Sequence, residues 1–132
     1  MKTSSTNVKV RYAETDQMGV VHHANYPVYL ELARIEWLND IGISYKEMEK
    51  GGVMLPVYDM QFSFLSPAFF DDTLTIKTSL KKMPRASIVF DYEITNQDQK
   101  LIIKAQTTLV FVDMKTKRPT RCPNYILELL KD

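Results

Sequence analysis

The feature that most constrains this chain is a change of period. Tyr26, Tyr29, Leu30, Ala33, Trp37 and Ile41 recur at helical spacing. Almost everything after residue 57 is strand-like. Val57 to Leu65 is apolar and rich in aromatics, and Leu74, Ile76, Thr78 and Leu80 alternate with polar residues. Ile88, Phe90, Tyr92 and Ile94 alternate in the same way, and Leu101 to Val112 makes a long strand. Strands that follow one another through turn-like joins form antiparallel sheets. The expected class is therefore α+β, with an antiparallel sheet of five to six strands wrapped around one long central helix. Such a sheet leaves a long strand at its edge. Proteins protect such edges, so edge-to-edge pairing of two copies is expected.

The punctuation agrees. Val8, Val10 and Tyr12 alternate with Lys9 and Arg11, which predicts a first strand over Val8 to Tyr12. Pro27 suits the first turn of the long helix, predicted over Pro27 to Asp40, and Gly42 ends it. Ser44 and Glu47 form a capping box for a short second helix, stopped by Gly51 and Gly52. Asn96 to Lys100 reads as a hairpin turn, and Tyr125 to Leu130 as a closing helix. No linker or repeat divides the chain, so residues 1–132 are expected to be a single domain.

Charge and cysteine usage exclude several classes. A net charge of +1 argues against broad electrostatic binding to nucleic acid or to a membrane surface. A lone cysteine, Cys122, cannot form an internal disulfide, and no Cys/His spacing resembles a zinc site. Met1 to Asn7 is polar, without the apolar core of a signal peptide, and no apolar run is long enough to span a bilayer. A cytoplasmic location is the resulting expectation.

The chemistry lies in the loop before the long helix: Tyr12-Ala13-Glu14-Thr15-Asp16-Gln17-Met18-Gly19-Val20-Val21-His22-His23-Ala24-Asn25-Tyr26. A helix N-terminus presents unpaired N–H groups and partial positive charge. It can hold an anion or polarise a carbonyl whose oxygen becomes negative. A neighbouring carboxylate can activate water or attack the carbonyl. These are the parts of an acyl-transfer site. The same residues also admit a plainer reading, in which Asp16 caps a turn and the histidines pack near the helix start.

This string, with Tyr29, Glu31, Ala33 and Arg34 after it, resembles the signature of the 4-hydroxybenzoyl-CoA thioesterase family, and within it the Tol-Pal-associated acyl-CoA thioesterase branch. The match is dense over Tyr12 to Arg34 and continues more weakly to the chain end. The resemblance implies a hotdog fold and hydrolysis of an acyl-coenzyme A thioester without a metal or other cofactor. It also implies homo-oligomers in which hotdog dimers pair into tetramers, with an acyl-CoA or an acyl-carrier protein as the partner.

Residue by residue, the resemblance places Asp16 as the catalytic carboxylate, either nucleophile or general base. His23 falls where a backbone N–H polarises the thioester carbonyl. Tyr12, Gly19, Val21, His22, Asn25 and Tyr26 fall among the residues around the substrate. Gly19 would serve backbone geometry, Asn25 would cap the helix or tie down the loop, and the His22 ring would pack. Glu31 and Arg34, three apart on the helix, would form an ion pair. Arg85 and Ser87, with Lys117 and Arg118 beyond the last long strand, are the candidates for binding the coenzyme A phosphates, and Arg121 follows them. Phe62, Phe64, Phe69 and Phe70, with Trp37 and Tyr29, are read as core ahead of an acyl tunnel, and Cys122 as structural. Two other readings stand beside hydrolysis: a hotdog hydratase or dehydratase, whose signature is not found, and a non-catalytic acyl-binding protein.

Overall fold

The computed structural model describes residues 2–131. Met1 and Asp132, the ends of the expected domain, lie outside the described residues. The elements are β1 (Thr3–Lys9), α1 (Tyr26–Asp40), α2 (Tyr45–Lys50), β2 (Val53–Met54), β3 (Val57–Phe64), β4 (Thr73–Leu80), β5 (Ser87–Thr95), β6 (Leu101–Val110), β7 (Val112–Asp113) and α3 (Asn124–Leu130). Five strands form one antiparallel sheet in the order β1-β4-β5-β6-β3, and β2 pairs with β7 in a separate ribbon.

The α1 stripe forms because its apolar residues share one face. Tyr26, Tyr29, Leu30, Ala33, Trp37 and Leu38 are buried, and α1 packs chiefly on β1 and β4. The inward residues of β4 and β5, among them Leu74, Ile76, Ile88, Phe90 and Ile94, complete the core. Trp37 meets Phe90 edge-to-face at 5.1 Å. Burying each such side chain contributes about 1.5–3 kcal/mol. Gly42 takes a positive φ of 94° just past the helix, where the Ile43 amide bonds back to the Leu38 carbonyl, so the chain reverses there.

Two expectations are corrected. The first strand runs over Thr3–Lys9, and Tyr12 belongs to a 3₁₀ turn over Tyr12–Glu14. Its inward residues Ser4 and Thr6 are buried but polar, so the strand shows almost no apolar alternation. The last long strand breaks at Phe111: β6 serves the main sheet, and β7 leaves it to pair with β2. The hairpin over Asn96 to Lys100 forms without glycine because the Asn96 side-chain oxygen accepts from the Asp98 and Lys100 amides, while Gln99 takes a φ of 63°.

One edge of the sheet is β3. Register puts Met60, Phe62 and Phe64 on the helix side, yet Phe64 stays 58% exposed and Tyr58 77% exposed. No helix long and apolar enough to cross a membrane occurs among the described residues.

Candidate active site

The loop between β1 and α1 folds into a tight hairpin. The Asp16 amide donates to the Val20 carbonyl at 2.8 Å, Gly19 N–H returns to the Asp16 carbonyl at 3.0 Å, and Thr15 pairs with Val21. Asp16 Oδ1 accepts from the amides of Met18 at 2.8 Å and Val20 at 3.2 Å. That is turn chemistry, and it fixes the orientation of the carboxylate. Oδ2 has no protein partner among the described residues, and Asp16 is exposed. Gly19 sits at φ 76°, a conformation that side-chain-bearing residues adopt at a cost, and its carbonyl accepts from Phe70. Val21 N–H donates to Ala68, which ties the hairpin to the β3–β4 connection.

Glu14 organises this loop, and sequence reasoning missed it. It is 7% exposed. Its carboxylate accepts from the Arg11 amide at 2.9 Å, from the Arg11 guanidinium at 3.0 Å and from the Tyr29 hydroxyl at 2.8 Å. Its carbonyl accepts from the His22 amide and the Asn25 side chain. Burial alone would raise its pKa. The hydrogen bonds from Arg11 and Tyr29 outweigh that and hold the carboxyl below its ordinary value. The signal was the Arg11–Glu14 spacing, a capping arrangement at a turn too short to show periodicity.

The histidines divide their roles. His22 Nδ1 accepts from the Ala24 amide at 3.1 Å, so His22 caps the 3₁₀ turn His23–Asn25 that leads straight into α1. Asn25, a candidate helix cap, makes no cap hydrogen bond and ties the loop to Glu14 instead, because its backbone is already helical. The His23 ring stacks on His22 at 4.3 Å. The His23 amide opens this helical run and has no protein partner among the described residues.

An open groove of about 300 Å³ borders this turn, lined by Val20, Val21, His23, Tyr26, Phe64 and Leu65 among others. Burial, with the Asp72 charge, pushes the Tyr26 phenol up to about 12, so it stays protonated at neutral pH. Asp16 and Gly19 lie on the hairpin beyond Val20, outside the groove lining. Tyr12 is exposed and packs edge-on against Phe70 at 5.5 Å. Phe69 and Phe70 are likewise exposed, against the expectation of core, as is Phe64.

The basic candidates gather elsewhere. The Cys122 amide donates to the Arg85 carbonyl at 2.6 Å, and Phe111 N–H donates to the Ala86 carbonyl. The Arg85–Ser87 segment therefore adjoins the irregular segment after β7 that carries Lys117, Arg118 and Arg121. Arg85, Lys117, Arg118 and Arg121 are exposed, and none is in an ion pair among the described residues. Ser87 pairs with Val110, and Val57 with Leu109, at one end of the sheet. Phe64 pairs with Ile103 at the other. Seven residues of strand separate the ends, about 23 Å. One protomer thus does not bring its basic cluster to its own groove. Cys122 is buried, which pushes its thiol up to about 11 and keeps it inert. Among the described residues no three His, Cys, Asp or Glu side chains gather as a metal-ligand set.

The sheet-and-helix scaffold agrees with the family comparison. Residues 10–130 match the Thioesterase-like superfamily, and the chain belongs to that family, with the hotdog fold. It is 39% identical over 119 residues to YneP of Bacillus subtilis (strain 168), which bears a provisional acyl-CoA thioesterase name, covering 90% of this chain and 86% of that one. It is 34% identical over 124 residues to the acyl-CoA thioester hydrolase YbgC of Escherichia coli O157:H7, covering 94% and 92%. Among solved structures, a DHNA-CoA thioesterase from Staphylococcus aureus aligns with a TM-score of 0.90 and 35% identity over 97% of this chain and 86% of that chain.

Proposed function

We propose that this chain is an acyl-CoA thioesterase, which hydrolyses the thioester of an acyl-coenzyme A to the free acid and coenzyme A. The observation that carries the reading is the unpartnered amide of His23, in the 3₁₀ turn that leads into α1, on a residue that lines a groove together with Val20 of the Asp16 hairpin. A thioester carbonyl in that groove would accept from the amide. The helix dipole would then favour the negative oxygen of the tetrahedral intermediate. Asp16 supplies the carboxylate through its free Oδ2 in one of two ways: it attacks the carbonyl carbon, which breaks the C–S bond, expels the coenzyme A thiolate and leaves a mixed anhydride that water then hydrolyses, or it takes the proton of a water that attacks the carbonyl and displaces the thiolate. The names of YneP and YbgC support the substrate class. The Tyr12 to Arg34 segment supports the Tol-Pal-associated branch.

The β3 edge supports a dimer. Pairing β3 antiparallel with a second copy would cover its exposed apolar residues and set the Val57 end of one protomer beside the Phe64 end of the other. The Arg85, Ser87, Lys117 and Arg118 cluster of one protomer would then reach the groove of its partner and hold the coenzyme A phosphates. Pairs of such dimers make the homotetramer of our reading, acting in the cytoplasm with no cofactor beyond the coenzyme A of the substrate. Release of free thiol from a panel of acyl-CoAs tests this: turnover is expected for at least one chain class. Binding without turnover across the panel would favour a non-catalytic acyl-binding protein.

A further inference from the structure

Arg34 is only 8% exposed. A guanidinium withdrawn that far from water ordinarily sits against a carboxylate. Here its one protein hydrogen bond among the described residues goes to the neutral Tyr92 hydroxyl, at 3.2 Å, and that hydroxyl meets Thr107 Oγ1 at 2.6 Å. The ion pair expected with Glu31 is not formed: no carboxylate oxygen lies within 4.0 Å among the described residues. A guanidinium carries five N–H donors. None of the Arg34 nitrogens is among the fully enclosed, unpartnered atoms, so the donors not used by Tyr92 open onto accessible space.

That space is a cavity of about 390 Å³ between α1, α2 and the sheet. Ile35, Leu38, Leu55 and Phe90 make most of its wall apolar, and Arg34 is its buried cation. Glu31 also lines it, but is exposed, so solvent screens its charge more than that of Arg34. A largely apolar cavity of this size with a buried charge in its wall is the usual build of a small-molecule pocket. Val57 lines it too, so it lies at the end of β3 that antiparallel pairing would bring against the His23 groove of a second copy.

We infer that this cavity receives the acyl group of a substrate whose thioester lies in the partner's groove, and that Arg34 selects acyl groups ending in a carboxylate. The inference rests on the thioesterase reading and narrows it. Methylenes fill the apolar wall, and the terminal carboxylate supplies the counter-ion that Arg34 lacks. Arg34 is thus a specificity residue rather than a catalytic one.

Hexanoyl-CoA and adipoyl-CoA have the same chain length and differ in the terminal carboxylate, so they form the test pair. The wild type is expected to show the higher kcat/KM for adipoyl-CoA. Arg34→Met should lower kcat/KM for adipoyl-CoA by about 10- to 100-fold, the range for a lost charged hydrogen bond, while changing hexanoyl-CoA by less than about 3-fold. Arg34→Lys, which keeps the charge but loses the fork, should lower the adipoyl-to-hexanoyl ratio at least about 3-fold. It decides the matter should Arg34→Met fail to fold. Tyr92→Phe removes the internal bond but not the guanidinium, so it should lower Tm and leave the ratio in place. A wild type that prefers hexanoyl-CoA, or Arg34 variants that slow both substrates equally, would overturn the inference while leaving the thioesterase reading intact. A wild type inactive on every acyl-CoA would overturn that reading and the inference with it.

Discussion

Replacing Glu14 by glutamine separates the charge of this side chain from its shape. The carboxylate takes one bond from the buried Tyr29 hydroxyl, one from the Arg11 amide and a fork from the Arg11 guanidinium. The Arg11 side chain is 77% exposed, so that ion pair contributes little, in the range of about 0–1 kcal/mol. The other two are charge-assisted bonds to a buried carboxylate, together worth several kcal/mol, of which glutamine keeps the neutral share. The net loss is about 2 kcal/mol, or roughly 6–10 °C in Tm for a domain of this size. The sign of the pH dependence follows. A carboxyl whose folded pKa is depressed stabilises the fold above its unfolded value, near the ordinary 4.5, and loses that contribution as pH falls through the lower folded value. Urea unfolding of wild type and Glu14→Gln should therefore differ by about 2 kcal/mol at pH 7, and the gap should narrow as pH drops below 4.5. A gap that stays constant down to pH 3, or no gap at pH 7, would refute the assignment of Glu14 as the ionised anchor of the loop.

Further outcomes follow from the same geometry. Trp37→Ala empties a fully buried site against Phe90 and should cost about 3–5 kcal/mol in urea unfolding, with reduced yield of folded protein. Gly19→Ala meets no atom within 4 Å of the added Cβ, so its cost is the backbone term of about 1–2 kcal/mol, confined to the hairpin. Activity should fall more than Tm, and the reverse would show that the hairpin is not part of the site. Tyr58→Glu on the exposed edge strand should shift the protein toward monomer in sedimentation velocity and lower acyl-CoA turnover with it. Full activity in a monomer would remove the partner from the site. His23→Ala keeps the backbone amide and should retain more activity than Asp16→Asn, and equal, complete losses would contradict a role carried by the amide.

Much of the fold was legible because the core residues alternate cleanly. The stripe from Tyr26 to Trp37 and the inward residues of β4 and β5 repeat at the period of the element they occupy, and burial follows that period. The first strand was not legible, because Ser4 and Thr6 face inward and carry no apolar signal. The break at Phe111 was hidden because Leu109-Val110-Phe111-Val112 is an unbroken apolar run across it, and only the pairing of Val112 with Met54 ends the main strand. At the site, local signals gave the turn at Asp16 and Gly19 and the helix start, since turn chemistry acts over a few residues, while only the resemblance gave Asp16 a catalytic role. The burial of Glu14 under Tyr29, and the Tyr92 partner of an Arg34 that the sequence paired with Glu31, escaped because those contacts are tertiary. The separation of the basic cluster from the groove also depends on strand register, which single-residue patterns do not carry.

In the proposed hydrolysis the reacting group is the Asp16 carboxylate, held by the Met18 and Val20 amides. Asp16→Asn keeps the Oδ1 acceptor that holds the hairpin and removes the charge. The direct measurement is kcat for wild type and Asp16→Asn on the best acyl-CoA of the panel, with Tm measured on the same samples. A loss of about 10²- to 10⁴-fold in kcat with Tm unchanged is expected. Comparable kcat in the two proteins would contradict it.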